Sequence, residues 1–191
     1  MGTIGGSLAE ADPCSCWPAL LVAFDARVRC LGPKGERVQT LRSLLKDAYT
    51  PALGEAELIT SVEVDRAALE GHGAFVAFKR AAPAYPTASC ALQLAMDGER
   101  VRSVRLALGC VALTPIVIDA AQTILEGGAL SAQKIDELGT LAAQAAEPVA
   151  DNKGSEAYKR SLIQGLVRRA FSIVQSRRAG QPHAATHTYY G

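Results

Sequence analysis

The chain has 191 residues, 49% of them hydrophobic, with 20 basic against 19 acidic side chains and a net charge of +1. That length allows one large core or two small ones, and the charge balance argues against the basic footprint that a nucleic-acid partner requires. No apolar run reaches the ~20 residues of a membrane span, and the amino end lacks the basic-then-apolar layout of a secretion signal, so a cytoplasmic protein is the expectation.

Five of the first seven residues, MGTIGGS, are Gly, Thr or Ser. The Gly5-Gly6 pair predicts a glycine-rich loop whose backbone amides can approach a ligand closely, as phosphate-holding loops do. A frayed terminus has the same composition. Pro18 suits a first helical turn, and Leu20, Leu21, Phe24 and Val28 recur at helical spacing, which predicts a helix over 18–29. The LGPKG stretch at 31–35 ends it. A short strand over 36–40, a helical turn over 41–46 and a strand over 57–64 complete a small α/β unit.

A second block opens at Gly73. Residues 74–79, 88–96 and 101–108 read as three strands, the last two joined across Asp97-Gly98, a strong hairpin signal. The remainder is helical. One helix spans 116–126 and stops at Gly127-Gly128; Ser131 caps another to about 146, and Ser155 caps a third to about 177. Tyr158, Leu162, Leu166, Ala170 and Val174 fall four apart and predict one buried stripe. A meander followed by helices is an α+β layout, with the helices on one face of an antiparallel sheet. The tail, 179–191, has no period and is expected to be disordered.

The five cysteines, Cys14, Cys16, Cys30, Cys90 and Cys110, are odd in number and scattered, so no disulfide framework is expected. Cys14-x-Cys16 is too tight for metal spacing, and His72, His183 and His187 are distant in sequence, so no metal site is expected. No Gly-x-Ser-x-Gly elbow occurs, and no catalytic acid–base pair is evident.

Taken in order, the landmarks resemble one family. TIGGSL at 3–8, Asp12-Pro13, PALL at 18–21, Gly32-Pro33, GER at 35–37 and ELI at 57–59 are followed by FKR at 78–80. LALG at 106–109, Thr114-Pro115, Asp151 and GSEAYKR at 154–160 complete the string. This order is similar to that of the molybdenum hydroxylase flavoproteins, the FAD subunits or domains of xanthine dehydrogenase and carbon monoxide dehydrogenase. The resemblance implies that residues 1–70 are the second half of a FAD-binding domain. It further implies that residues 73–177 are the family's C-terminal domain, a three-stranded antiparallel sheet with a helical bundle, and that the first half of the FAD domain lies elsewhere.

The resemblance also implies a site. Thr3, Ile4, Gly5, Gly6 and Ser7 would hold FAD through main-chain amides and the two hydroxyls. Leu58 and Ile59 would lie against the cofactor, although plain core-strand residues fit that pattern as well. Lys79 would stand close to the flavin, its rival reading being a solvated strand-end lysine. Three positions depart from the pattern. Cys16 stands where relatives usually carry an aspartate, residues 81–87 (AAPAYPT) replace a charged stretch, and Cys110 follows Gly109 where a second glycine is common.

The implied role is the flavoprotein component of a molybdenum hydroxylase complex, inactive alone. It would pass electrons from the iron–sulfur clusters of a partner subunit through FAD to NAD, a quinone or oxygen. Molybdopterin would lie on another partner subunit, and a further chain could carry the first half of the FAD domain. The alternative is a subunit-docking module that has lost flavin binding.

Overall fold

The computed structural model describes residues 2–79, 85–181 and 187–189. It opens on a short helix, α1 (Ile4–Glu10), where the glycines predict a loop. Thr3 decides the difference. Its hydroxyl accepts from the Gly6 amide at 3.0 Å, and Leu8, fully buried, anchors the turn strongly enough to offset about 1 kcal/mol per helical glycine.

Helix α2 (Cys16–Ala23) starts earlier and ends earlier than the predicted 18–29. Asp25 takes a left-handed φ of 54°, which terminates the helix, and Val28 then points into the core from β1 (Arg27–Gly32). Strand β2 (Gly35–Thr40) returns antiparallel, with Gly32 opposite Gly35, so the predicted breaker is a hairpin turn. A single turn, α3 (Leu41–Leu44), and a small hairpin of β3 (Leu45–Asp47) and β4 (Thr50–Pro51) lead into β5 (Leu58–Glu63). The first sheet has the order β2-β1-β5. Its core gathers Leu8, Val22, Val28, Cys30, Leu41 and Leu44.

Gly71 makes the crossing to the second sheet with φ +108°, and a β-carbon there would lie 2.4 Å from the Leu94 carbonyl oxygen. The predicted three strands follow as β6 (His72–Lys79), β7 (Ala88–Asp97) and β8 (Arg100–Gly109). Two short strands extend the edges. Ile116–Val117 is β9, paired with β8, rather than the start of a helix; α4 is confined to Ala120–Leu125. At the other edge His187–Tyr189, β10, runs parallel to β6, so the expectation of a tail without regular structure is corrected there. Residues 182–186 and 190–191 of that tail lie outside the described residues.

Helices α5 (Ala132–Ala145) and α6 (Glu156–Arg178) cover one face of the sheet, each capped by the predicted serine. Leu166, Ala170 and Val174 are buried as the stripe predicts, whereas Tyr158 is 40% exposed and meets Phe78 edge-on. The other face is covered too, which one-sided packing does not anticipate. Ala23 of α2 packs on Ala91 and Ala107, and a β-carbon at Gly109 would fall 2.8 Å from that of Ala19. The small sheet is thereby held against the large one.

Candidate functional site

Six of the eight predicted cofactor residues come together. Gly5 lies against Ile59, where an added β-carbon would be 3.7 Å from the carbonyl oxygen. Residues Gly2, Thr3, Ile4 and Gly6 are on the surface. Helix geometry gives the Ile4 and Gly5 amides no intrahelical acceptor. The Thr3 hydroxyl accepts from Gly6 and keeps its own proton to donate. Leu58, at the start of β5, is 72% exposed, and Ile4 is 40% exposed. Ile59, by contrast, is packed partly onto the small core. The result is an open face that sets the helix-end amides beside exposed apolar side chains. Such a face fits an anionic group attached to a flat organic body.

The other two take different positions. Ser7 turns inward, its Oγ 2.6 Å from the Oγ of buried Ser15 at the cap of α2. Its hydroxyl therefore joins α1 to α2, a role the glycine-loop reading missed. Lys79 ends β6, half-buried, and its charge is felt at Cys16, the residue after Ser15. Burial pushes the Cys16 thiol above its ordinary value, with Lys79 pulling the other way, so Cys16 is a weak acceptor. Of the predicted proline-containing stretch, residues 81–84 lie outside the described residues, as does Arg80.

Beside this face lies a cluster that the sequence reading did not assemble. Lys153 Nζ reaches Cys14 Sγ at 3.6 Å and the Pro86 carbonyl at 3.3 Å. Cys110 Sγ sits 3.5 Å from the Cys14 carbonyl oxygen and 3.8 Å from Ser89 Oγ. The loop carrying Lys153 is pinned by buried Lys159, whose Nζ binds the Val149 carbonyl at 2.6 Å and Asp151 at 2.8 Å. The Cys110 thiol and the Lys153 ammonium hold the Cys14 thiol at about 6 despite its burial. Cys110 is pushed in the opposite direction by its bond to Cys14 and by burial. One sequence signal existed: Cys110 occupies a position that favours glycine. No group of three or more His, Cys, Asp or Glu positioned for a metal occurs among the described residues.

The family model "CO dehydrogenase flavoprotein C-terminal domain" matches residues 73–174, and "FAD binding domain in molybdopterin dehydrogenase" matches residues 1–66. The carbon monoxide dehydrogenase medium chain of Afipia carboxidovorans is 33% identical over 93% of this chain and 62% of its own length. The nicotine 6-hydroxylase medium subunit of Paenarthrobacter nicotinovorans is 30% identical over 88% of this chain and 59% of its own. Among solved structures, carbon monoxide dehydrogenase from Hydrogenophaga pseudoflava superposes with a TM-score of 0.88 at 31% identity, covering 92% of this chain and 61% of that one. Quinoline 2-oxidoreductase from Pseudomonas putida 86 gives a TM-score of 0.85 at 27% identity, with 92% and 61% covered. The chain thus spans less than two thirds of the length of these relatives.

Proposed function

This chain belongs to the FAD-binding, medium-subunit family of the molybdenum hydroxylases, and from that premise we propose that it is the electron-output component of such a complex. In this reading electrons arrive from iron–sulfur clusters on a partner subunit, after oxidation of a substrate at molybdopterin on another. They leave through FAD to NAD, a quinone or oxygen. The complex is cytoplasmic, and the chain has no activity by itself. Residues 1–70 act as part of the flavin domain and residues 73–177 as the docking and support domain.

The observation that carries the reading is the meeting of the α1 first turn with the start of β5, two segments far apart in sequence, on one open face. The flavin, when bound, supplies the redox chemistry. The chain's own residues position it. The Ile4 and Gly5 amides and the Thr3 hydroxyl would donate to its phosphates. Leu58 and Ile59 would cover an apolar side of it, and Lys79, as the family resemblance implies, would place positive charge near it. No side chain of this chain acts as acid or base.

A docking module without flavin is the second reading, favoured by Cys16, whose thiol is pushed up by burial, at a position where relatives usually carry an aspartate. Visible flavin absorbance separates the two. The chain is purified alone and with its co-expressed partner subunits, each titrated with FAD. Saturable uptake supports the flavoprotein reading; an assembled complex that takes up none overturns it and leaves the module.

A further inference from the structure

We propose that Cys14 and Cys110 form a reversible dithiol–disulfide site oxidised by small hydroperoxides, with Cys14 the attacking thiolate, Lys153 its counter-ion and Cys110 the resolving thiol. This inference is independent of the flavin reading.

The geometry comes from three separate segments. Cys14 lies between α1 and α2 and is half-buried, so the residue is not sealed in the core. Cys110 follows β8 and is buried, with its amide donating to the Pro13 carbonyl at 3.1 Å. That bond fixes the two cysteine backbones side by side, and the Cys110 sulfur lies 3.5 Å from the Cys14 carbonyl oxygen. Lys153 comes from the loop before α6 and reaches the Cys14 sulfur at 3.6 Å. The nearby Asp151 carboxylate is bound to Lys159 Nζ at 2.8 Å.

Cys110 adds a second line of argument. Its φ is +67°, a left-handed conformation that favours glycine and is strained for a side chain. A thiol is held there all the same, directed at the Cys14 backbone and Ser89. The other groups that face Cys14 are Asp12, which opposes its ionisation, and Cys16, Tyr49 and Tyr85, which lie within its field. Asp12 Oδ1 accepts the Cys14 amide at 2.8 Å, fixing the turn that presents the sulfur. An ionised thiol outside the sealed core, beside a protonated one, is the arrangement that thiol oxidation requires.

The chemistry balances. The Cys14 thiolate attacks one oxygen of the peroxide bond; the O–O bond breaks, Cys14 becomes a sulfenic acid, and the departing alkoxide or hydroxide takes up a proton. The Cys110 thiol then attacks the Cys14 sulfur. The S–S bond forms, the S–O bond breaks, and the hydroxyl leaves as water with the Cys110 proton. Two thiols and one hydroperoxide yield a disulfide, an alcohol (or water) and water, with two electrons passing from sulfur to oxygen.

Alkylation and peptide mass spectrometry on the full chain test this. In the reduced protein, Cys14 alkylation should be half-maximal near pH 6, and Lys153→Gln should move that midpoint up by about one pH unit or more. After hydrogen peroxide, a cross-linked peptide pair holding Cys14 and Cys110 should appear, and thiol reductant should reverse it. In Cys110→Ser the reaction should stop at a dimedone-trappable sulfenic acid on Cys14. A wild-type midpoint in the ordinary thiol range overturns the proposal, as does a cross-link of Cys14 to Cys16 or none at all. The wild-type measurements decide it even if a variant does not fold.

Discussion

The two halves of the molecule bury their apolar side chains very differently. In the C-terminal half, strand β7 is buried along nearly its whole length because α6 packs on one face and α2 on the other. In the N-terminal half, β2 and β5 alternate between half-buried and exposed positions, and Ile4, Leu31, Val38 and Leu58 remain on the surface. Charge pairs take a larger share there. Arg29 bridges Glu36 and Glu63, and Arg37 makes two bonds of 2.7 Å to Glu57. The bundle half is held by extensive apolar packing, while the small half adds ion pairs and docking against its neighbour to a smaller apolar core.

The largest effect expected is in the bundle. Phe171 is fully buried, so Phe171→Ala should cost about 4 kcal/mol through lost burial and the cavity left behind, measured by denaturant unfolding. A cost below that of an exposed site would break the contrast. Next comes the seam. In Gly109→Ala the new methyl meets Ala19 and Ser89 at 2.8 and 2.6 Å, and about 2 kcal/mol of overpacking is expected. Hydrogen exchange should then rise in α1, α2 and β1 while α5 and α6 stay protected. Equal loosening of both halves would show that the seam is not where they separate.

The Arg37 pairing and the Gly54 amide hold the Glu57 carboxyl at about 2, below its ordinary 4.5. A carboxylate depressed on folding stabilises fully above its unfolded value and loses that contribution as pH falls through its folded one. Glu57→Gln should therefore lower the melting temperature at neutral pH. The gap from wild type should narrow between about pH 4.5 and 2. A gap independent of pH would sink the ion-pair account. The smallest effect belongs to Leu58→Ser, at most about 0.5 kcal/mol of stability because the side chain is already exposed. If the face at residues 3–7 and 58–59 holds flavin, the same change should weaken FAD retention measurably. A large stability loss would instead mark Leu58 as a core residue.

Local signals were sufficient wherever the deciding interactions lie within a few residues. The Asp97-Gly98 hairpin, the Ser131 and Ser155 caps and the alternation of β5 were all legible for that reason. They failed where a distant partner overrode propensity. Two glycines read as a loop, yet burial of Leu8 and the Thr3 cap made a helix of them. Val28 matched a helical period, yet it pairs opposite Gln39 and Val62 in a sheet. The ordered motif string was enough to identify the family, because its pieces depend on order along the chain alone. The neighbours of Cys14 were not available that way. Cys110 and Lys153 lie 96 and 139 positions further on, and contacts at such separations exist only once the seam between the two halves has closed.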